Sequence, residues 1–397
     1  MNNKVDIQYT YHNSNKGLTN LWVSLPIDKT NPSLTLKPEK TSIDAGKSMI
    51  SYFTLKENEH LKIHYSEDVY KKDEQREISQ EEKKYYLRTG VLVQIDPEII
   101  RLGESITADA TTSMDKAKLL FYYLVENFKY NYPPKSRGAK SFLQSKKGDC
   151  GEYSFLFSSL CRSIGIPCRT LVGSWANGKL QAHVWNEFFV EEIGWVPVDC
   201  SMAYMQRYKK LQFLFSNIRT LAWEEYFGNT ESQRVVFSKD VEIMLNPPYK
   251  NITDQEIEEA NLKPLSPFEI NEKPFYWGYQ SLNGTAPYIQ PAYIQFDKIN
   301  LNSKPIKDGK RYLGSWEIKE TGYQRFFYKL KIFSFYTFIT CFLINFIVNN
   351  SVIDVVRNVF IILTGISFIA RKERTILFCI LTVLFFLPLL SSLSKLL

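Results

Sequence analysis

GDCGEYSFLFSSLCRSIGIPCR, residues 148–169, is the stretch on which the reading of this 397-residue chain turns. Tyr153, Leu156/Phe157, Leu160/Cys161 and Ile164 recur at three- and four-residue steps, the apolar stripe of an amphipathic helix. Asp149 suits the N-cap, and Gly165 followed by Pro167 suits the end of such a helix. Cys150 therefore falls at or beside the first turn. Free N–H groups and the positive end of the helix dipole favour an anion there, which predicts a thiol pKa below its usual ~8.5.

Working outward, Cys168–Trp175 reads as a strand, and Asn177–Gly178 is a strong hairpin turn. The return strand, Leu180–Val190, holds His183, Trp185, Glu187 and Phe189 on one face at period two. Glu191–Gly194 turns the chain again into Trp195–Asp199. Folding this second hairpin brings Asp199 opposite His183 to within a couple of residues. A Cys at a helix start, a His on a strand and an Asp on the next strand are the nucleophile, base and orienting acid of thiol acyl transfer. Each alone has a plain structural explanation: an inert cysteine, a core histidine, a turn-forming aspartate. The combination carries more, because His183 is the only histidine after residue 64. Cys161 and Cys168 are seven apart and match no structural zinc spacing, so the chemistry calls for no metal and no cofactor.

The block 148–169 followed by HVWNEFFVEEIGWVPVD, 183–199, resembles the transglutaminase-like superfamily, relatives of the papain-type cysteine hydrolases. Ala117–Tyr130 is similar to the family's helix before the nucleophile loop. Glu225–Tyr226–Phe227–Gly228 with Arg234–Val235 is similar to a segment after the core in prokaryotic members. The resemblance covers about residues 90–300 and implies an α+β, papain-like core. By position it makes Cys150 the nucleophile, His183 the general base and acid, and Asp199 the residue that orients the imidazole. Trp185 and Trp195 match the family's aromatic positions, at the substrate site or structural. Gln144, six residues before Cys150, stands at the papain-like separation for an oxyanion donor, beside the Cys150 backbone N–H. Cys168 and Val184 stand where Ala is usual. The implied activity is on peptide or protein amide bonds, with hydrolysis favoured over transamidation. The alternative is a catalytically inactive, membrane-tethered binding module of the same fold.

The remaining chain frames this core. Residues 1–65 alternate as short strands (Val5–Tyr11, Leu21–Leu25, Met49–Leu55, Leu61–Tyr65), a small β-sandwich-like region. Ser66–Lys84 has 12 charged residues out of 19, which places a charged linker at 66–87 before a core at 88–300. The basic loop with Lys135, Arg137, Lys140, Lys146 and Lys147 reads as solvated. A basic connector, 301–331, leads to a membrane domain at 332–397. Residues 332–353 and 375–394 carry no charge, long enough for bilayer-crossing helices, and Val352–Ala370 makes a third. The spans are about 332–350, 352–370 and 375–394.

Charge partitions in the same way. Residues 1–300 carry 36 basic and 37 acidic side chains, and residues 301–397 carry 13 and 5, so the net +7 resides in the tail. A nearly neutral body excludes a nucleic-acid-binding domain, which would show basic clusters on its folded part. Mean hydropathy, −0.24, averages a polar body with an apolar tail. Arg325, Lys329 and Lys331 flank the first span, and Arg371, Lys372 and Arg374 lie between the second and third. With three spans both clusters fall on one side, which the positive-inside rule makes cytoplasmic. The N-terminus shows no apolar signal region, and the six cysteines form no disulfide framework, in keeping with a core facing the cytosol.

Overall fold

A computed structural model describes residues 4–25, 32–71, 73, 75–178, 181–213, 216–262, 269–270, 272–297, 313–320, 322–348, 350–373 and 375–394. Leu180 at the start of the expected return strand, the first part of the connector (301–312) and Arg374 lie outside the described residues. The chain divides into two units, Met1–Tyr208 with Ala222–Lys319, and Lys209–Leu221 with Glu320–Leu397.

The first unit opens with β1 (Lys4–His12), β2 (Thr19–Leu25), β3 (Ser33–Leu34), β4 (Lys40–Ile43), β5 (Met49–Leu55) and β6 (His60–Asp68). β1 and β6 pair antiparallel from Lys4↔Asp68 to His12↔His60. Their alternation buries Val5, Ile7, Tyr9 and Tyr11 on one strand and Leu61, Ile63 and Tyr65 on the other. Two four-stranded sheets result, and each takes an edge strand from far along the chain. Ser315–Glu320 flanks β1, and Ala292–Phe296 pairs with β2. Ile294, Phe296, Trp316 and Ile318 join Val5, Leu21, Phe53 and Leu55 in one apolar cluster. Each such side chain contributes roughly 1.5–3 kcal/mol when buried. The β-rich layer is therefore not confined to 1–65: it recruits residues expected in the core and in the connector. A strand pattern names a strand but not its partner, which is why the boundary at 65 does not hold.

The segment 66–87 is also more than a linker. β6 runs through its first residues, and α1 (Gln80–Tyr85) starts with a complete capping box between Ser79 and Glu82. Then come α2 (Pro97–Ile106), with Asp96 as N-cap, and α3 (Ser113–Asn127). The basic loop that holds Lys135 to Lys147 is partly ordered, since β7 (Lys129–Tyr130) leads into it and α4 (Ala139–Ser145) lies within it. β8 (Lys147–Gly148) pairs parallel with β7.

The site-bearing elements follow: α5 (Cys150–Ser163), β9 (Cys168–Trp175), β10 (Ala182–Val190), β11 (Gly194–Val198), α6 (Cys200–Tyr208) and, after a longer loop, β12 (Arg234–Ser238). The antiparallel sheet runs β11–β10–β9–β12. α5 is buried along almost its whole length, and β9 along all of it. Gly173, the register partner of His183, sits where β9 meets a bulge against β12. A Cβ there would lie 1.9 Å from the Val235 carbonyl oxygen, so only glycine allows the approach.

In the second unit, α7 (Gly322–Val348), α8 (Ser351–Ala370) and α9 (Thr375–Ser394) form the apolar tail. α7 and α8 are long and apolar enough to cross a membrane, and Thr382–Ser394 is a shorter apolar helix. α7 begins ten residues before the uncharged run at 332, so Arg325, Lys329 and Lys331 lie on the helix itself. Polar side chains join neighbours: Ser334 Oγ lies 2.8 Å from Thr364 Oγ1, and Asn358 donates to Ser392 at 3.1 Å. Asp354, in the first turn of α8, pairs with Arg357 at 2.8 Å and accepts from Asn345 at 2.8 Å.

Candidate active site

Cys150 is the first residue of α5, fixed there by the local sequence. Asp149 caps the helix by accepting from the Gly151 N–H at 2.8 Å, and Glu152 reaches back to the Asp149 N–H at 3.2 Å. Two adjacent carboxylates need a counter-charge, and Arg137 supplies it: Nη1 lies 3.0 Å from Asp149 and 3.2 Å from Glu152. Arg137 is thus a paired, largely buried residue, which corrects its reading as part of a solvated loop.

Asn186 on β10 sets how α5 lies on the sheet. Its amide donates to the Ser154 carbonyl at 3.0 Å and to Ser158 Oγ at 2.9 Å. Ser154 is four residues beyond Cys150, roughly 6 Å along a helix, and Asn186 is two residues beyond Val184, roughly 7 Å along a strand. Helix and strand run in step, so Cys150 arrives beside the Val184 N–H, next to His183. Cys150 as a residue is half-buried. Burial pushes its thiol up and Asp149 adds to this, while the Val184 N–H and Arg137 pull it down. Burial and Asp149 thus act against the low thiol pKa expected from the helix start alone.

His183 is buried, and its Nε2 lies 2.6 Å from Asp199 Oδ2. The β10–β11 register puts Asn186 against Val198, so Asp199 falls two residues past direct opposition and its side chain reaches back. The other oxygen, Oδ1, accepts from Ser201 Oγ and the Met202 N–H, both at 2.8 Å, as a cap on α6. Burial opposes ionisation of Asp199, but the imidazole, the Arg234 guanidinium and these donors outweigh it and hold the carboxyl well below the usual range. Burial is also the main cause lowering His183, with Arg234 assisting and Asp199 opposing.

Trp185 stacks near the imidazole at 5.9 Å between centroids, and Trp175 lies closer, at 3.9 Å. Trp195 packs instead against Tyr86 and under the Arg169 guanidinium, 3.9 Å from its ring, as part of the sheet's structural core. Gln144 is exposed near the end of α4, and among the described residues no hydrogen bond ties it to Cys150. The residues that sequence reasoning passed over are Trp175, Glu231 and Arg234. Arg234 lay within the segment that extended the resemblance, but nothing in its spacing pointed to Asp199. Tyr130 and Tyr288 are also close enough to Cys150 to interact with its charge. Among the described residues, no group of three metal-binding side chains occurs.

Residues 100–200 match the model of the transglutaminase-like superfamily. The matched residues, which hold α5 and strands β9, β10 and β11, form a transglutaminase-like domain. An uncharacterized protein of Haemophilus influenzae is 24% identical over 229 residues, 49% of this chain, and the match spans 61% of that protein's length. Among solved structures, the chain is similar to a protein from Cytophaga hutchinsonii proposed to be a cysteine protease. That match has 16% identity and a TM-score of 0.40, over 51% of this chain and 76% of the other. It is also similar to the periplasmic domain of TgpA from Pseudomonas aeruginosa, with 17% identity and a TM-score of 0.36, over 52% and 74%.

Proposed function

We propose that this chain is a membrane-anchored thiol acyl-transfer enzyme acting on peptide or protein amide bonds, with Cys150 as nucleophile, His183 as general base and acid, and Asp199 as the orienting carboxylate. The observation that carries the reading is the buried 2.6 Å His183–Asp199 bond on the strand that delivers Val184 to Cys150. Burial raises the thiol and lowers the imidazole, which favours the neutral pair at rest. His183 takes the thiol proton as the sulfur attacks the carbonyl carbon, and the Cys150 N–H at the helix start faces the developing oxyanion. The imidazolium then protonates the leaving amine. Water resolves the thioester in a hydrolase, or a substrate amine in a transglutaminase; hydrolysis is the reading favoured here. α7 and α8, with α9, anchor the enzyme as a multi-pass protein. Arg325, Lys329, Lys331, Arg371 and Lys372 favour the cytoplasmic side for their end of the bundle.

The test is iodoacetamide labelling of the full chain in detergent, read by peptide mass spectrometry. Cys150 is expected to react faster than the buried Cys161 and Cys168, and His183→Ala to slow it at least tenfold. Equal rates would leave a binding module of the same fold. Incubating a peptide library with and without a primary amine, against Cys150→Ala, separates hydrolysis from transamidation by product mass. Digestion of the first unit from outside intact cells would overturn the cytoplasmic assignment.

A further inference from the structure

A thiol, an imidazole and a carboxylate need no fourth charged residue, yet the back of this site holds one. Arg234 lies in β12 opposite Trp175 of β9 and is fully buried. Its Nε and Nη2 donate to the two oxygens of Glu231 at 2.6 and 2.7 Å. Its Nη1 stands 2.7 Å from Asp199 Oδ2, the same oxygen that meets His183. Glu231 also accepts from Trp175 Nε1 at 2.9 Å, and that indole backs the His183 ring at 3.9 Å. One carboxylate oxygen is thus shared between a permanent cation and an imidazole, and one glutamate holds both the cation and the ring's backing.

We propose that Arg234 and Glu231 form a positioning pair that sets the proton affinity of His183 through Asp199, a role that rests on the acyl-transfer reading above. An aspartate facing imidazole alone strongly favours imidazolium. A guanidinium on the same oxygen competes for that charge and places a like charge beside the ring. The imidazole then stays free to accept the thiol proton, and Glu231 keeps the guanidinium from repelling it altogether. Among the described residues, the charged groups that act on His183 are Asp199 after β11, Arg234 on β12 and Glu231 before β12, and the neighbouring Cys150 is in turn faced by Asp149, Arg137, Tyr130 and Tyr288. After burial, Arg234 lowers the imidazole, whereas Asp199 and Glu231 raise it. Two members of one ion pair therefore act on His183 with opposite signs.

That sign difference is the test. The pH dependence of Cys150 alkylation is measured on the full chain in detergent for wild type, His183→Ala, Arg234→Gln, Arg234→Lys, Glu231→Gln and the double variant Glu231→Gln/Arg234→Met. Arg234→Gln is expected to move the His183-dependent limb up by roughly one pH unit, and Glu231→Gln to move it down. Arg234→Lys keeps the charge and stays near wild type, and the double variant falls between the two single changes. If a single variant shows no cooperative thermal transition, Arg234→Lys and the double variant carry the comparison. A merely structural pair would lower the rate without moving the limb. A limb that depends on His183 in wild type but stays put, or moves the same way in both single variants, overturns this inference alone. A wild-type profile indifferent to His183→Ala overturns the acyl-transfer reading and this inference with it.

Discussion

Arg234 and Arg371 are both fully buried arginines held by a glutamate, one in each unit of the chain, and they are buried to different ends. Arg371, at the C-terminal end of α8, spends its donors on closure. Nε meets Glu373 at 2.6 Å, Nη1 the Gln324 carbonyl at 2.8 Å and Nη2 the Asn217 side-chain oxygen at 2.9 Å. Its acidic neighbours have other cations as well: Lys331 pairs with Glu373 at 2.8 Å, and Arg219 with Glu320. Helix ends and the 209–221 segment are tied together with every charge shared. Arg234 also faces carboxylates on two sides, but one of them is already bonded to an imidazole. The same residue type thus closes a helix junction in one unit and loads a titratable pair in the other.

The comparison can be broken in graded steps. Asp199→Ala has the largest expected effect, because it takes the carboxylate from Arg234 Nη1, frees His183 and uncaps α6. A loss of about 3–5 kcal/mol is expected in urea unfolding of the full chain. Arg371→Met should cost less, about 1–3 kcal/mol, since Glu373 keeps Lys331 and Glu320 keeps Arg219. It should also leave the pH limb of Cys150 alkylation where it is. A cost equal to that of Asp199→Ala, or a moved limb, would erase the distinction. Asn186→Ala leaves the Ser154 carbonyl without its donor and loosens the alignment of α5 on β10. About 1–2 kcal/mol is expected, together with slower alkylation.

Glu67 gives the smallest effect and shows a half-buried carboxyl without an ion pair among the described residues. Burial, with Asp68 adding, pushes it up to about 8, and Lys239 opposes this. Its folded-state value lies above the unfolded value of about 4.3, so the stabilising form is the protonated one. That contribution is fully present below about pH 4.3 and is lost as the pH rises through about 8. Glu67→Gln should therefore raise the thermal midpoint above pH 8, by a stability gain on the order of 1 kcal/mol, and the gain should vanish near pH 4. A constant gain across that range would point to packing rather than charge.

Much of the architecture was legible along the chain. The helix at 150–163, its Asp149 cap, the period-two strand with His183 and the long apolar helices are all local patterns. So was the fold class, because two spaced blocks resemble one superfamily. The sandwich was half legible. Its early strands alternate clearly, whereas Ala292–Phe296 and Ser315–Glu320 join it only by pairing with strands more than two hundred residues earlier. Arg137 shows the opposite error: a basic, Pro-rich neighbourhood reads as solvent-facing, but two capping carboxylates draw its guanidinium inward.

What the sequence by itself determined is whatever depends on neighbours a few residues away: where helices start and stop, which face a strand presents, and how long an apolar run lasts. Tertiary structure alone decided the ionisation of the site and its hidden members. Desolvation depends on everything packed around a group, and at Cys150 it opposes the shift expected from the helix start. Register across β9 and β12 brought Arg234 to Asp199 over 35 residues, a distance that no local periodicity encodes.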